Sequence, residues 1–210
     1  MEVYIKDLSV ETPDGRKLLK IPELKVREGE SCLLRGRSGI GKSTLLQYIG
    51  GLSPMGKGHL KVGSIDVGML TPGTMVRYRR ENVAFLFQRL NLVEHLTVFE
   101  NLAVAVPYPV DRAGAEEVLK TLKMQDRIDD RVAGMSLGEC QRVAIARMLL
   151  SPAGLFLADE PTSSLDAENA KGVFDVFKSQ KKRRTLICVS HDDRISPYFD
   201  KVHDLSEWSA

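Results

Sequence analysis

The 210-residue sequence predicts an α/β fold with a mostly parallel sheet at its core, an N-terminal antiparallel β subdomain and an inserted helical subdomain. Polar and apolar residues alternate over 1–10 and again near 24–26, a pattern typical of strands with one exposed face. Short apolar runs that end in polar residues are typical of the buried strands of a parallel sheet. Such runs lie at 31–36, 83–87, 155–158 and 186–189. Between about 90 and 134 the periodicity becomes helical, most clearly over 115–122.

Length and composition predict one globular domain. Hydrophobic residues make up 43% and charged residues 28% of the chain, which excludes the disordered and fibrous classes. At roughly 150 residues per domain, one domain accounts for the whole length. We place its core at about 1–88 and 152–210, and a helical subdomain at about 89–151. The sequence has no membrane-spanning apolar stretch and no signal peptide at its N-terminus, so we expect a soluble, intracellular protein.

Charge and cysteine content narrow the possible partners. Thirty basic and 28 acidic residues give a net charge of +2, which is too balanced to predict nucleic acid or an anionic membrane as the main partner. We therefore expect no nucleic-acid partner. Cys32, Cys140 and Cys188 are far apart and form no CxxC pair, so they are interpreted as reduced thiols and not as a disulfide framework or a zinc site.

Residues 36–44, with the sequence GRSGIGKST, match the phosphate-loop pattern GxxxxGK[ST] between a predicted strand and a predicted helix. Its glycines let successive backbone N–H groups point at phosphate oxygens, and the following helix adds its positive end. Lys42 is predicted to reach the β- and γ-phosphates, and the Ser43 hydroxyl to hold Mg²⁺. The residues expected to contact the nucleotide here are Gly36, Arg37, Ser38, Gly39, Ile40, Gly41, Lys42, Ser43 and Thr44.

Two carboxylates, Asp159 and Glu160, follow the apolar run 155–158. Parallel sheets place their ligands at the carboxyl ends of the strands, so both side chains are expected at the ligand edge. Asp159 would complete the Mg²⁺ site that Ser43 begins, and Glu160 would polarise a water for in-line attack on the γ-phosphate. An acidic strand end alone is a weak signal. Beside a phosphate loop it predicts hydrolysis of a nucleoside triphosphate.

Further motifs occur in a fixed order along the chain. Gln88 directly follows the run 83–87, and the sequence SLGECQR at 136–142 opens a predicted helix. The sequence PTSSLD at 161–166 follows the two carboxylates, and SHD at 190–192 ends another apolar run. With the phosphate loop in front of them, these motifs make the chain resemble a nucleotide-binding domain of the ABC-type ATPases over essentially its full length.

Each of these shorter motifs also has a purely structural interpretation. Ser136 and Glu139 fit a capping box, which by itself explains both residues. Gln88 alone would be a polar strand end, and His191 alone would more often be a structural histidine. Because all the motifs occur in the order of one family, the functional interpretation is favoured.

The resemblance implies a head-to-tail dimer that holds ATP and Mg²⁺. One subunit would close over the γ-phosphate held by the other subunit, through Ser136, Gly138 and Glu139. Asp166 would link the two ATP sites. Gln88 would sense metal and water while it lies against an integral membrane subunit, which would also contact the helical subdomain. The implied catalytic residues are Lys42, Gln88, Glu160 and His191. The implied metal-site residues are Ser43, Gln88 and Asp159.

Two positions depart from the family pattern. Leu137 stands where the signature usually has its first glycine, which predicts weakened or altered closure. Residues 11–15 lack the aromatic side chain that usually stacks on the adenine, which leaves the base preference open because stacking contributes about 1 kcal/mol.

Residues 79–102 look like the stand-alone ATPases of the lipoprotein-releasing, macrolide-efflux and cell-division group. That resemblance implies an ATPase subunit in the cytoplasm, peripheral on the inner face of the membrane, which drives a separate membrane subunit. The helical lobe after Asn101 looks shorter than usual and contains Pro107 and Pro109. Two alternatives stay open: the ATPase of a small-solute importer, and a soluble ABC ATPase without a membrane partner. A small-molecule kinase would not explain the signature helix.

Overall fold

The computed structural model describes residues 1–104, 109–163, 165, 167–180 and 184–210. The predicted site residue Asp166 and the lobe residue Pro107 lie outside these ranges. The described residues divide into two compact units. The first contains Met1–Phe85, Ala153–Glu160 and Gln180–Ala210, and the second contains Leu86–Pro152 and Pro161–Ser179. The sequence-based domain boundaries stay a prediction.

An antiparallel sheet in the first unit confirms the predicted N-terminal strands. Its strands are β1 (Val3–Glu11), β2 (Lys17–Val26), β4 (His59–Val62) and β5 (Ile65–Asp66), in the order β2-β1-β4-β5. Burial alternates along β1 and β2, as expected for strands with one face on the core. Strands β4 and β5 were not predicted, because four and two residues are too few to show a period.

A five-stranded sheet contains the strands at whose ends the predicted phosphate loop and carboxylates lie. Its strands are β3 (Ser31–Arg35), β6 (Val83–Leu86), β7 (Leu155–Asp159), β8 (Thr185–Ser190) and β9 (Lys201–Asp204), in the order β6-β7-β8-β3-β9. The pairings β7–β8, β3–β8 and β3–β9 are parallel. Every residue of β7 and β8 is buried, which explains the apolar runs within them. The register pairs Arg35 with Ser190 and Asp159 with Val189, so three strands end together at one edge of the sheet.

Two α-helices lie in the described part of the first unit. Helix α1 (Lys42–Ile49) follows the phosphate loop and buries Leu45, Leu46 and Ile49. Helix α2 (Pro72–Asn82) begins with a capping box at Thr71 and was missed by the sequence analysis. Only Tyr78 of α2 is buried, so the sequence of this helix has no apolar stripe from which it could be predicted. The Tyr78 hydroxyl donates to the Ile49 carbonyl oxygen at 2.7 Å, and burial raises its pKa.

The second unit is helical. It contains α3 (Val98–Val104), α4 (Arg112–Thr121), α5 (Leu137–Leu150) and α6 (Ala167–Gln180) up to its last residue. The helix expected at 115–122 begins earlier, because Asp111 accepts a hydrogen bond from the Gly114 N–H as N-cap. Between 122 and 136 the described chain forms short 3₁₀ turns and a β-bridge of Arg131 with Thr97, so less of this region is helical than its periodicity predicted. Among the described residues, no helix has the length and apolar character needed to cross a bilayer.

Candidate active site

The phosphate loop lies between the end of β3 and the start of α1, as predicted. Gly39 and Gly41 have φ angles of 78° and 114°, in the region that favours glycine. A Cβ on Gly41 would also lie only 3.1 Å from the Leu18 Cβ. No side chain caps α1, and its first turn has no acidic residue, so its first N–H groups can bind an anion.

Lys42 connects this loop to the carboxylate strand. Its side chain is buried, with 8% exposed, and its Nζ donates to the carbonyl oxygens of Gly36 at 2.7 Å and Arg37 at 3.3 Å. The same Nζ lies 3.6 Å from Oε1 of Glu160. The ammonium therefore already faces the space enclosed by the loop, where a phosphate would lie.

Glu160 is held in an unusual backbone conformation directly after β7. Its φ is 51°, which is uncommon for a residue with a side chain, and its N–H donates to the Val189 carbonyl oxygen at 2.9 Å. Its buried carboxylate accepts from the Ser190 hydroxyl at 2.7 Å and from the His191 N–H at 3.1 Å. These hydrogen bonds, together with the ion pair to Lys42, stabilise a charge that burial alone would disfavour.

His191 places a ring beside the same carboxylate. Its Nδ1 lies 2.8 Å from Oε1 of Glu160, while 66% of the side chain is exposed. The following Asp192 accepts from the Arg194 N–H and from its guanidinium group, which stabilises the turn after β8. The ring is therefore anchored at one nitrogen and open to a ligand at the other.

Asp159 has the features of a cation ligand. Its Oδ1 is buried and has no hydrogen-bond partner among the described residues. Burial raises the pKa of this carboxyl group, and a hydrogen bond from the Ser43 side chain acts in the opposite direction. A hard divalent cation takes carboxylate and hydroxyl oxygens, so Asp159 and Ser43 fit the Mg²⁺ implied by the sequence.

In the second unit, Ser136 and Glu139 form the predicted capping box at the start of α5. The Ser136 Oγ accepts from the Glu139 N–H at 3.3 Å, and Oε2 of Glu139 accepts from the Ser136 N–H at 2.9 Å. Oε1 of Glu139 accepts from Nη1 of Arg127 at 2.6 Å, a partner that the sequence analysis missed. No local pattern links Arg127 to the signature, because the two meet only through the fold. Leu137 is 62% exposed, and Gly138 follows it in the first turn of α5.

The predicted site residues therefore fall into separate groups. The first unit contains the phosphate-loop residues, including Lys42 and Ser43, together with Asp159, Glu160 and His191. Gln88 follows β6, is exposed and belongs to the second unit, as do the signature residues. Their predicted roles, including those of Gln88 and Asp166, stay predictions.

A phosphate loop that presents its lysine to a buried glutamate, at the carboxyl edge of a parallel sheet, defines a P-loop nucleoside triphosphatase. Comparison with known families narrows this class. The family model described as ABC transporter matches residues 19–163. The chain belongs to the ABC transporter family, and it is an ABC-type ATPase.

Several relatives place the chain within that family. The macrolide export ATP-binding/permease protein MacB of Salmonella paratyphi A is 34% identical over 204 residues, which are 93% of this chain and 32% of that protein. An uncharacterized ABC transporter ATP-binding protein of Mycobacterium bovis is 35% identical over 210 residues, which are 96% of this chain and 64% of that protein. The chain thus spans about a third of the length of its MacB relatives. The predicted resemblance to the macrolide-efflux group is confirmed.

A solved structure agrees with the fold. The ATP-binding cassette MJ0796, in a dimeric post-hydrolysis state bound to ADP and Pi, superposes with a TM-score of 0.87 at 29% identity. The match covers 97% of this chain and 94% of that one. The α/β prediction, with its parallel core, antiparallel N-terminal strands and helical insertion, is therefore confirmed.

Proposed function

We propose that the chain is the ATPase subunit of a transporter and that two copies close head to tail around two ATP molecules to drive a separate membrane subunit. The observation that carries the proposal is the buried cluster of Lys42 and Glu160. Beside it lies the Oδ1 of Asp159, which accepts no hydrogen bond from the part of the chain that the structure describes. A buried cation, a buried base and an unsatisfied carboxylate oxygen at one sheet edge match the needs of phosphoryl transfer to water.

Within one site, each group has a distinct task. The loop N–H groups and Lys42 bind the β- and γ-phosphate oxygens. Glu160 orients the attacking water and accepts its proton, and the open nitrogen of His191 donates to the γ-phosphate. Ser43 and Asp159 hold Mg²⁺, which when bound neutralises charge on the phosphate oxygens. The family resemblance assigns Gln88 the sensing of metal and water.

The proposed dimer brings the start of α5 to the γ-phosphate of the partner. Ser136, Gly138 and Glu139 are the contacts, and Asp166 links the two sites. The dimeric form of MJ0796 supports this arrangement. Because Arg127 pairs with Glu139, the carboxylate at this helix end is already neutralised when an anion approaches.

Replacing Leu137 with glycine tests whether this departure weakens closure. Leu137 is 62% exposed, so its loss costs little packing, while removal of its side chain clears the helix end that faces the partner. We expect about threefold to tenfold tighter ATP-dependent dimerisation, equivalent to about 0.7–1.4 kcal/mol. Sedimentation velocity with ATP measures it. The control V76G removes an exposed apolar side chain from α2 and should leave dimerisation unchanged. Equal behaviour of L137G and the parent would show that the departure is silent.

The proposed membrane subunit contacts the surface near Gln88 and the helical subdomain, and keeps the ATPase at the cytoplasmic face of the membrane. The similarity to proteins named as ATP-binding/permease proteins supports such a partner. Efflux, lipoprotein release or mechanical work on the envelope are the actions that this resemblance favours.

Co-purification tests the partner. The tagged E160Q variant, held with ATP and Mg²⁺ in its native host, is purified from gently solubilised membranes, and its companions are identified by mass spectrometry. We expect an integral membrane protein in near-equal amount. Co-purification of a substrate-binding protein together with the membrane protein would favour the importer alternative. A purely soluble complex would contradict the proposal and favour a cytosolic ATP-driven clamp.

A further inference from the structure

Lys42, Ser190 and His191 give hydrogen bonds or charge to the Glu160 carboxylate, and only some of these groups are free to stay once a nucleotide binds. Nζ of Lys42 lies 3.6 Å away and Nδ1 of His191 lies 2.8 Å away. Both side chains are also proposed to bind phosphate oxygens of the nucleotide. The His191 backbone N–H, at 3.1 Å, and the Ser190 hydroxyl, at 2.7 Å, have no proposed contact with the phosphates. A side-chain truncation removes the hydroxyl and leaves the backbone N–H in place.

The Ser190 hydroxyl is oriented before any ligand arrives. Its Oγ accepts from the Asp192 N–H at 3.1 Å, so its proton is directed at Oε2 of Glu160. Ser190 is only 1% exposed and is the last residue of β8, paired with Arg35 of β3. The sheet therefore fixes this donor, independently of the nucleotide.

The backbone adds a second restraint from the same strand. The Glu160 N–H donates to the Val189 carbonyl oxygen at 2.9 Å, and the φ of Glu160 is 51°. The end of β8 thus restrains both the main chain and the side chain of Glu160. Without this restraint, the Glu160 carboxylate would move toward the Lys42 ammonium and away from the attacking water.

We propose that Ser190 is a positioning residue for ATP hydrolysis, which holds the Glu160 carboxylate toward the attacking water. The inference rests on the role proposed above for Glu160. Ser190 makes no contact with ATP in this scheme, so its loss should slow the chemical step and leave substrate binding unchanged.

Steady-state kinetics of S190A and S190T test the inference. We expect kcat of S190A to fall about tenfold to a hundredfold, as for one lost hydrogen bond to a charged group, with KM for ATP unchanged within about twofold. S190T keeps the hydroxyl on a strand-compatible side chain and should restore most of kcat. In the E160Q background, S190A should cause little further loss of kcat, because it acts through Glu160.

Ser31 provides a matched control at the opposite edge of the sheet. Its Oγ donates to Oδ2 of Asp200 at 2.7 Å and accepts from the Asp200 N–H at 3.1 Å, and it is 1% exposed. S31A therefore removes an equivalent buried hydrogen bond without touching the site, and its kcat should equal that of the parent.

Several outcomes would overturn the inference. They are an unchanged kcat in S190A, an equal fall of kcat in S31A, or an additive loss in the double variant. Fast turnover by E160Q would instead contradict the proposed role of Glu160 itself, so the two failures are distinguishable.

Discussion

Replacing Glu160 with glutamine is expected to lower ATP turnover about 10²- to 10⁴-fold while ATP binding persists, the range that a general base contributes. Glutamine has nearly the same shape, and its amide oxygen can still accept from the Ser190 hydroxyl, so the fold should be retained. It cannot accept a proton from water. Phosphate release at saturating ATP measures turnover, and sedimentation with ATP should show a nucleotide-bound dimer that accumulates.

Glu30 offers a control for this change. Its carboxylate lies 3.0 Å from Nζ of Lys201 in the same unit, at the amino end of β3 and away from the phosphate loop. E30Q also neutralises a lysine-paired glutamate, and it should keep parental turnover. If E160Q hydrolysed ATP as fast as the parent, Glu160 would not be the base, and the proposed mechanism would fail at its central step.

Replacing Lys42 with methionine is expected to weaken ATP binding at least about a hundredfold, equivalent to about 2.7 kcal/mol. The buried ammonium already contacts the phosphate loop, through the Gly36 and Arg37 carbonyl oxygens. Charge-assisted contacts to phosphate are the strong ones in such a site. Removal of Lys42 also takes an opposite charge away from Glu160. Isothermal titration with ATP and Mg²⁺ measures the affinity.

Lys201 is the matching control for K42M. Its Nζ also combines a backbone carbonyl acceptor, that of Lys25 at 3.0 Å, with a glutamate partner, Glu30. K201M should therefore lose similar contacts and retain parental affinity. Tight ATP binding by K42M would show that the loop N–H groups alone hold the phosphates, against the role assigned to Lys42.

Elements with strong local signals were predicted correctly. The buried strands β3, β7 and β8 each contain an apolar run without alternation, because a segment buried on both faces needs none. Helix α2 and strand β9 were missed for the opposite reason. Tyr78 is the only buried residue of α2, and no residue of β9 is fully buried, so neither leaves an apolar pattern.

Local sequence signals were enough to predict the phosphate loop, the buried strands and the family, because glycine conformation and apolar burial are properties of short segments and motif order is read directly from the chain. The groups that hold Glu160 and Glu139 are seen only once the chain is folded. Ser190 lies 30 residues from Glu160 along the chain, and Arg127 lies 12 residues from Glu139. Strand register and helix packing bring such donors to their carboxylates, and hydrogen bonds act only over about 3 Å. No pattern within a short segment encodes that proximity.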